Sequence, residues 1–306
     1  MGMAARLNWP RDSAGWPHRD AGRLVQCGDQ PWFVQQMGQG PTLLLIHGTG
    51  ASTHSWRGML PILARHCNVL AIDLPGHGFS GMPPAAQLAM PAMARAIGEL
   101  LTQLKLEPAL LVGHSAGAAI AIRMALDGRA APQAIVSLNG ALLPLSGLAG
   151  QLFLPMARLM AAAPFVPRLF AWRAADKVVL QRLIDGTGSA LDAEGMALYA
   201  RLVANPGHVQ GALGMMAHWD LAALQRDLPK LRVPVSLVVA SQDRAVPPTQ
   251  ARQALALMRS APGSSLTEWP ALGHLAHEEQ PQRAAEFVLA LARMLAVLPA
   301  TARATA

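Results

Sequence analysis

The sequence contains few cysteines, few aromatic residues and little charge, and each shortage excludes a class of protein. Only two of its 306 residues are cysteines, Cys27 and Cys67, so a disulfide framework is excluded and a reducing, cytoplasmic location is expected. Aromatic residues make up 5% of the chain and charged residues 14%. The net charge is +7, but the basic residues are scattered and have few aromatic neighbours, so nucleic-acid binding is not expected.

Apolar runs of membrane-spanning length are also missing. The longest stretch without Asp, Glu, Lys or Arg runs from Ala130 to Ala157 and contains three prolines and several glycines. A spanning helix tolerates that density of helix breakers poorly. The N-terminal segment MGMAARLNWPRDSAGWPHRD lacks the apolar core of a signal peptide. We therefore expect no transmembrane segment, and contact of the protein surface with a membrane stays open as an alternative.

Strand-like and helix-like patterns alternate over the first 140 residues. Strands are predicted for RLVQCG and PWFVQQMG around the turn Gly28-Asp29-Gln30, and for PTLLLIHG (41–48), CNVLAIDLPG (67–76), ALLVG (109–113) and AIVSLNG (134–140). Helices are predicted over 55–66, 88–104 and 116–127. This alternation indicates an α/β fold with a mostly parallel, doubly wound sheet.

The alternation stops between residues 141 and 220, where the sequence is helical and rich in Met, Leu, Pro and Arg. It resumes with the strand VPVSLVVASQD (233–243), a helix over 248–258, the strand SSLTEW (264–269) and a closing helix from about 278. The pattern predicts an N-terminal extension (1–21), a core (22–140 and 221–300) and an inserted helical cap (141–220). The apolar stretch 145–172 is expected to bury its face on the core, with a ligand pocket or a membrane contact as alternatives.

The segment Gly113-His114-Ser115-Ala116-Gly117 fits G-x-S-x-G and lies where a strand pattern becomes a helix pattern. A serine on such a sharp turn is exposed, and flanking glycines let the strand and the helix approach closely. Ser115 is therefore the candidate nucleophile. Dehalogenase and epoxide-hydrolase chemistry is disfavoured, because those reactions need a carboxylate at this position.

A nucleophilic serine needs a base, and the base needs an acid to orient it. Asp243 follows a predicted buried strand, and His274 follows the next strand along the chain. This gives the order Ser, Asp, His, with each residue at the carboxyl end of a strand. The alternative role for Asp243 is a helix N-cap or a turn former. For His274 the alternatives are His277 as the base and a purely structural histidine.

Two backbone amides are expected to stabilise a developing oxyanion. Thr49 follows the first central strand, and Ala116 opens the helix after the serine. Candidate pocket walls are His47, Trp56, His114 and Asn139, with a buried hydrogen-bonding role as the alternative for His47. The sequence has no Walker lysine, no G-x-G-x-x-G and no H-E-x-x-H, so neither a metal nor a cofactor is expected.

The motifs HGTG, DLPGHG, GHSAG, SQD and GH, in this order, resemble the α/β-hydrolase superfamily over about residues 22–298. Other segments resemble the magnesium chelatase accessory protein family of bacteriochlorophyll biosynthesis. These segments include NWPRDSAGWPHRDAGRLV, SLNGALLPLSGLAGQLF, IDGTGSALDAEGMALYARLV and PGHVQGALGMMAHWDL. The resemblance implies an α/β-hydrolase fold and a pathway, with tetrapyrrole intermediates or magnesium chelatase subunits as partners. It implies no particular substrate.

Together, these observations predict a serine hydrolase of the carboxylesterase type that acts on a small-molecule ester or an amphipathic acid. The alternative is a non-catalytic accessory or porphyrin-binding protein that retains the hydrolase fold. An intact Ser-His-Asp set favours the enzyme, because a protein that only binds has no use for it.

Overall fold

The computed structural model describes residues 6–144, 147–163, 165–174 and 176–300. Within these ranges eight strands form one sheet, in the order β1-β2-β4-β3-β5-β6-β7-β8. Their bounds are β1 (Gly22–Cys27), β2 (Gln30–Met37), β3 (Thr42–Ile46), β4 (Asn68–Ile72), β5 (Pro108–His114), β6 (Ala134–Leu138), β7 (Val235–Ala240) and β8 (Ser265–Trp269). The pairings of β1 with β2 and of β2 with β4 are antiparallel, and the strands from β4 to β8 are parallel.

Helices cover both faces of the sheet, which is the predicted doubly wound arrangement. The helices are α1 (Leu60–Leu63), α2 (Met90–Leu104), α3 (Ala116–Leu126), α4 (Gly147–Ala162), α5 (Val166–Ala174), α6 (Lys177–Asp185), α7 (Ala193–Val203), α8 (Pro206–Ala217), α9 (Leu221–Asp227), α10 (Thr249–Leu257), α11 (Ala276–Glu279) and α12 (Pro281–Met294). Short 3-10 turns lie at Arg19–Ala21, Thr53–Trp56, Ala85–Leu88 and Leu228–Lys230.

Each central strand is apolar on both sides, because each side faces a separate core. Leu44 and Ile46 of β3 pack in the core that includes α2 and α3. Leu43 and Leu45, which alternate with them, pack in the core that includes α1 and α12. The predicted α/β fold with a mostly parallel, doubly wound sheet is confirmed.

Two predicted helices are shorter than the sequence pattern indicated. The prediction of a helix over 55–66 is wrong in extent, because only the 3-10 turn Thr53–Trp56 and the single turn of α1 are helical. Gly58 lies between them, and a Cβ there would come within 2.5 Å of Pro281. The closing helix is divided into α11 and α12, since Pro281 lacks the N–H that a continuous helix needs and instead opens a new one.

The N-terminal segment packs against the rest of the protein. Trp16 is buried with Phe33 and Phe79, and Trp9 packs against the same two rings. The Arg6 guanidinium donates to the carbonyl of Gly207 in the predicted cap. Residues 1–5 of the predicted extension lie outside the described residues, as do 145, 146, 164 and 175 of the predicted cap.

Helices α4 to α9 follow β6 and precede β7 in the chain. Helix α8 lies directly on the loop after β4: a Cβ on Gly211 would come within 1.9 Å of the Gly76 carbonyl oxygen. Only glycine permits this approach. None of the described helices combines the length and the apolar character needed to cross a membrane.

Candidate active site

Ser115 forms the turn between β5 and α3 and has a strained backbone. Its φ is 51° and its ψ is −117°, a conformation that residues with a Cβ rarely adopt. Two hydrogen bonds hold it there: its N–H donates to the Leu138 carbonyl at 3.0 Å, and its carbonyl accepts from the Ala141 N–H at 3.1 Å. Both partners lie at or just after the end of β6, so the neighbouring strand fixes the turn.

The glycines of this turn are required by close packing. A Cβ on Gly117 would lie 2.0 Å from the Ile46 carbonyl oxygen, and one on Gly113 would lie 2.4 Å from the Ala118 nitrogen. A Cβ added to Gly48, in the loop after β3, would lie 2.9 Å from the Ser115 Cβ. The loop after β3 therefore packs directly against the serine.

Asp243 and His274 are joined by a hydrogen bond at the carboxyl ends of β7 and β8. The His274 Nδ1–H donates to Asp243 Oδ2 over 2.8 Å, and both residues are largely buried. The other carboxylate oxygen, Oδ1, accepts from the backbone N–H groups of Ala245 and Val246, each at 2.8 Å. These donors fix the carboxylate plane and so the orientation of the imidazole.

Asn139 gives Asp243 a fourth donor. Its Nδ2 donates to Asp243 Oδ2 at 2.7 Å, from a backbone with φ of 48° just after β6. Asparagine tolerates this left-handed conformation better than most residues. Asn139 was predicted as a pocket wall, and the sequence offered no signal for its contact with the carboxylate.

The hydroxyl of Ser115 does not hydrogen-bond the His274 imidazole in the described structure. Across the described residues, Ser115 Oγ forms no hydrogen bond within 3.5 Å. The His274 backbone N–H donates to the Thr187 carbonyl, and the His274 carbonyl accepts from His114 Nε2. Serine hydroxyls rotate freely, and such bonds are often long in the absence of substrate.

The rival base, His277, has a different partner. Ser55 Oγ donates its one proton to Glu278 Oε1 at 2.9 Å. In its 2.7 Å contact with His277 Nε2 it must therefore be the acceptor, which places a proton on that nitrogen. His277 therefore donates to Ser55. Its ring is fully buried, packed on His114 at 4.3 Å between centroids.

Two backbone amides beside the serine are free to bind an oxyanion. Within the described ranges, neither the N–H of Thr49 nor that of Ala116 has a hydrogen-bond acceptor. Ala116 is the first residue of α3, so its amide points out of the positive end of the helix dipole. The Thr49 hydroxyl contacts the Met215 sulfur of α8 at 3.5 Å, which ties this loop to the cap.

The other predicted pocket residues are buried around the site. His47 accepts from the Leu74 N–H at Nε2, and its Nδ1 therefore donates to the Gly48 carbonyl at 2.7 Å. This geometry corresponds to the hydrogen-bonding alternative. Trp56 is fully buried in the core that includes α1 and α12. His114 is buried with its ring against His274.

A segment between α6 and α7 contacts both loops that carry the Asp–His pair. The Thr187 carbonyl accepts from the N–H of Arg244, next to Asp243, and from the N–H of His274, each at 3.2 Å. Ser189 Oγ accepts from the Leu275 N–H at 2.8 Å. Sequence reasoning missed this segment, although the Gly-Thr-Gly run marks it as a tight turn.

Gly188 makes this contact possible and offers a test of it. Its φ is 80°, and a Cβ there would lie 2.0 Å from the Gln242 carbonyl oxygen. We expect Gly188→Ala to displace the loop that carries Asp243 and to weaken the downfield His274 Nδ1–H resonance in proton NMR spectra. The matched control is Gly128→Ala, where φ is 65° but no atom lies within 4 Å of the added Cβ. Both variants carry similar backbone strain of about 1–2 kcal/mol, so loss of the resonance in both would contradict a specific role for Gly188.

Buried histidines connect the loops behind the serine. His208 of α8 accepts from the Gly78 N–H at Nδ1 and donates from Nε2 to the Gly50 carbonyl, each at 3.0 Å. It therefore joins the loop after β4 to the loop after β3. Burial lowers the pKa of His77 to about 4, and it lowers the pKa values of His208 and His277 to about 3.

These depressed pKa values predict a loss of stability in acid. The unfolded chain takes up a proton on each histidine near pH 6.5, whereas the folded state does not until the pH reaches about 3–4. The contribution of these neutral histidines to the free energy of unfolding is therefore fully present above about pH 6.5. Below that pH it falls by about 1.4 kcal/mol per pH unit for each histidine.

Urea unfolding at a series of pH values should show this dependence of the free energy of unfolding on pH, with a smaller slope in His208→Gln. The control His66→Gln changes an exposed ring and should keep the parent slope. An unchanged slope in His208→Gln would contradict the prediction.

A buried ion pair connects the segment after His274 to the cap. Glu278 accepts from Arg57 Nη1 at 2.7 Å and from the Tyr199 hydroxyl of α7 at 2.8 Å. Burial raises the pKa of Glu278, and the Arg57 guanidinium opposes this effect. Arg57 also bonds Asp192, the N-cap of α7, at 2.8 Å. The predicted cap therefore contacts the segment after His274 as well as the Thr49 loop.

An apolar cavity of about 340 Å³ lies between the cap and the segment before α2. It is lined by Met82, Pro83, Ala85, Leu88, Arg158, Ala161, Ala162, Gln210, Gly214, Ala217 and His218. Arg158 is the one permanently charged group in this lining. In the described part of the chain, no group of three or more His, Cys, Asp or Glu side chains could hold a metal ion.

Comparison with known proteins places the fold and the motifs in context. Residues 43–287 match the model of the alpha/beta hydrolase family. The chain is 41% identical over 267 residues to the magnesium-chelatase 30 kDa subunit of Rhodobacter capsulatus, which covers 87% of this chain and 92% of that protein. It is 30% identical over 274 residues to the pimeloyl-[acyl-carrier protein] methyl ester esterase of Methylococcus capsulatus, which covers 82% of this chain and 95% of that protein.

A solved structure is also similar. The epoxide hydrolase CorEH without ligand superposes with a TM-score of 0.75 at 22% identity, over 90% of this chain and 99% of that one. At this identity the likeness concerns the fold alone. The two resemblances stated from the sequence, to the α/β-hydrolase superfamily and to a magnesium chelatase protein, are confirmed.

Proposed function

We infer the function of this chain from its family: it belongs to the alpha/beta hydrolase family, and we propose that it is a serine hydrolase of the carboxylesterase type. The observation that carries this proposal is the 2.8 Å hydrogen bond between His274 and Asp243, in loops adjacent to the strained Ser115 turn. A hydrogen-bonded Asp–His pair beside an elbow serine is the arrangement that activates a hydroxyl as a nucleophile.

In the proposed first half-reaction, Ser115 Oγ attacks the ester carbonyl carbon while its proton moves to His274 Nε2. Asp243 holds Nδ1–H and stabilises the imidazolium that forms. The backbone N–H groups of Thr49 and Ala116 donate hydrogen bonds to the tetrahedral oxyanion. Each of these bonds lowers the activation barrier by about 3 kcal/mol. The intermediate collapses, the proton on Nε2 passes to the leaving alkoxide, and an alcohol departs from the acyl-enzyme.

Water completes the proposed cycle. His274 Nε2 accepts a proton from the water as its oxygen attacks the acyl carbon, and the same two amides bind the second oxyanion. Collapse of this intermediate breaks the bond to Ser115 Oγ, which regains the proton from Nε2. The products are a carboxylic acid and the free enzyme, and no external oxidant, metal or cofactor enters the balance.

The residue at the elbow favours ester hydrolysis over epoxide opening or dehalogenation. Those reactions proceed through an alkyl-enzyme ester and need a carboxylate nucleophile. Here the residue is Ser115, so the likeness of fold to an epoxide hydrolase does not extend to its chemistry. The relative from Methylococcus capsulatus is named as a methyl ester esterase, which supports an ester substrate.

We propose a small-molecule ester, or an ester of an amphipathic acid, as the substrate class. The apolar cavity beside α8 could hold an aliphatic or ring system, and Arg158 in its lining could pair with a carboxylate, although none of Ser115, Asp243 and His274 lines this cavity. The relative named as a magnesium-chelatase 30 kDa subunit supports a role in bacteriochlorophyll biosynthesis. A tetrapyrrole that bears carboxylate or ester side chains fits both considerations.

The name of that relative also supports a second candidate function. The chain would then be a non-catalytic accessory protein that binds a porphyrin or magnesium chelatase subunits and retains the hydrolase fold. The amides of Thr49 and Ala116, without acceptors among the described residues, favour the enzyme, because a pigment-binding protein has no need of an oxyanion site.

Turnover of a short-chain aryl ester distinguishes the two candidates. The proposed enzyme should release the phenol continuously at a rate proportional to protein concentration. A porphyrin titration followed by absorbance should be carried out on the same preparation. Absence of turnover together with tight porphyrin binding would support the accessory function and contradict the hydrolase.

A further inference from the structure

Helix α5 presents its large apolar side chains to solvent. Phe165, Leu169 and Trp172 are 64%, 51% and 70% exposed. Their spacing of four and three residues places them on one face, with Phe165 immediately before the first turn. On the opposite face Pro167, Ala171 and Ala174 are buried, and the larger Val166 and Phe170 are partly buried against Val209 and Leu213 of α8. Three large apolar side chains nevertheless remain exposed on the outer face.

The two neighbouring helices extend this surface. Helix α5 contacts both α4 and α6, and the side chains described for each of them include two further exposed large apolar ones. We define the exposed cap patch as Met156, Leu159, Phe165, Leu169, Trp172, Val178 and Leu183. A group of exposed apolar side chains on neighbouring helices marks a candidate site of interaction rather than an ordinary surface. Within the stretch that was expected to bury a face on the core, α5 packs one face on α8 and leaves Phe165, Leu169 and Trp172 exposed.

The charges around the patch are mainly positive. Between residues 155 and 185 the chain has two acidic residues, Asp176 and Asp185, and five basic ones: Arg158, Arg168, Arg173, Lys177 and Arg182. Arg168 and Arg173 project on either side of the apolar stripe of α5, and the Arg173 guanidinium lies 6.0 Å from the Trp172 ring. When an apolar stripe enters a lipid bilayer, long basic side chains beside it can keep their charged ends at the level of the lipid headgroups.

We propose that the exposed cap patch docks on an anionic lipid membrane surface. An amphipathic helix with Trp, Phe and Leu on one face and flanking arginines binds in the plane of the interface without crossing it. Pairing with a second copy through the same patch is disfavoured, because the basic rims of two patches would repel each other across an isologous interface. The proposal uses none of the catalytic residues and holds whether or not the chain hydrolyses an ester.

The proposed docking would place the active-site loops close to the membrane. Helix α5 packs on α8, whose His208 and Met215 contact Gly50 and Thr49. An amphipathic ligand dissolved in the bilayer would therefore meet the cap before it meets bulk water.

Sedimentation of the full chain with vesicles tests the proposal. We expect binding to vesicles of phosphatidylcholine mixed with phosphatidylglycerol, weak binding to phosphatidylcholine alone, and a loss of binding as salt is raised. Trp172→Ala should weaken binding to the mixed vesicles by about tenfold. Reversing two charges, in Arg168→Glu with Arg173→Glu, should weaken it by more than about tenfold, since each basic residue contributes about fivefold.

The matched control is Met294→Ala, which removes a side chain that is 75% exposed on α12, outside the patch. It should bind as the parent does, and circular dichroism should show that all the variants remain folded. Equal binding by Trp172→Ala and the parent would overturn the proposal. So would a concentration-dependent dimer that Trp172→Ala dissociates, because the patch would then be a protein interface.

Discussion

Ser115→Ala is expected to lower kcat/KM for a short-chain aryl ester by at least about 10⁴-fold while leaving the fold intact. In the proposed reaction the hydroxyl oxygen forms the acyl-enzyme, and no neighbouring group can replace it. The fold should persist, because Ser115 Oγ makes no hydrogen bond among the described residues and alanine removes only that atom. Rates should be measured for the parent and the variant at equal protein concentrations, determined by a method that does not depend on the active site. Thermal unfolding should be recorded for both.

Ser137→Ala is the matched control for this experiment. Ser137 lies on β6, is fully buried and has a hydroxyl without a hydrogen-bond partner in the described structure. The same chemical change therefore occurs close to the site but outside the proposed reaction, and the activity should stay near that of the parent. Parent-like turnover by Ser115→Ala would exclude this serine as the nucleophile.

Asp243→Asn is expected to lower kcat/KM by about 10⁴-fold. The carboxylate accepts from His274 Nδ1–H, and this bond favours the tautomer with its lone pair on Nε2, the atom that is proposed to take the serine proton. An asparagine that turns its amide N–H₂ towards the ring would favour the other tautomer, with the proton on Nε2. The ester assay should record the loss, and the backbone donors from Ala245 and Val246 should keep the loop in place.

The control for Asp243→Asn is Asp220→Asn. Asp220 caps α9 through the N–H groups of Ala222 and Ala223, and asparagine is an equally good N-cap. Loss of a negative charge at this surface position should leave both activity and stability close to those of the parent. Full activity in Asp243→Asn would mean that another group orients His274, and the proposed triad would be wrong.

Much of the fold could be predicted because its signals are local. The run PTLLLIHG is apolar at four of the five positions of β3, and all five are buried, as a strand covered on both faces requires. The Ser115 turn was recognisable for a similar reason, since Gly113 and Gly117 stand in sequence beside the residue whose close packing they permit. Asp243 and His274 followed from the positions at which parallel strands end.

The remaining contacts could not be predicted, because they join segments far apart along the chain. Thr187 bonds residues that lie more than fifty positions further on, and its own sequence shows only a turn. His208 bonds two loops of the core from within the cap. The apolar composition of α5 indicated burial, but composition does not tell which face of a helix meets the protein. That depends on which side chains pack on α8, where Ala171 meets Val209 and Leu213.

Peptide mapping after reaction with a fluorophosphonate would locate the proposed nucleophile. A single phosphonyl adduct on the tryptic peptide that contains Ser115, absent from Ser115→Ala and slow to form in Asp243→Asn, is the predicted result. An active preparation with no adduct, or with its adduct on a different residue, would contradict the proposal that Ser115, His274 and Asp243 act together.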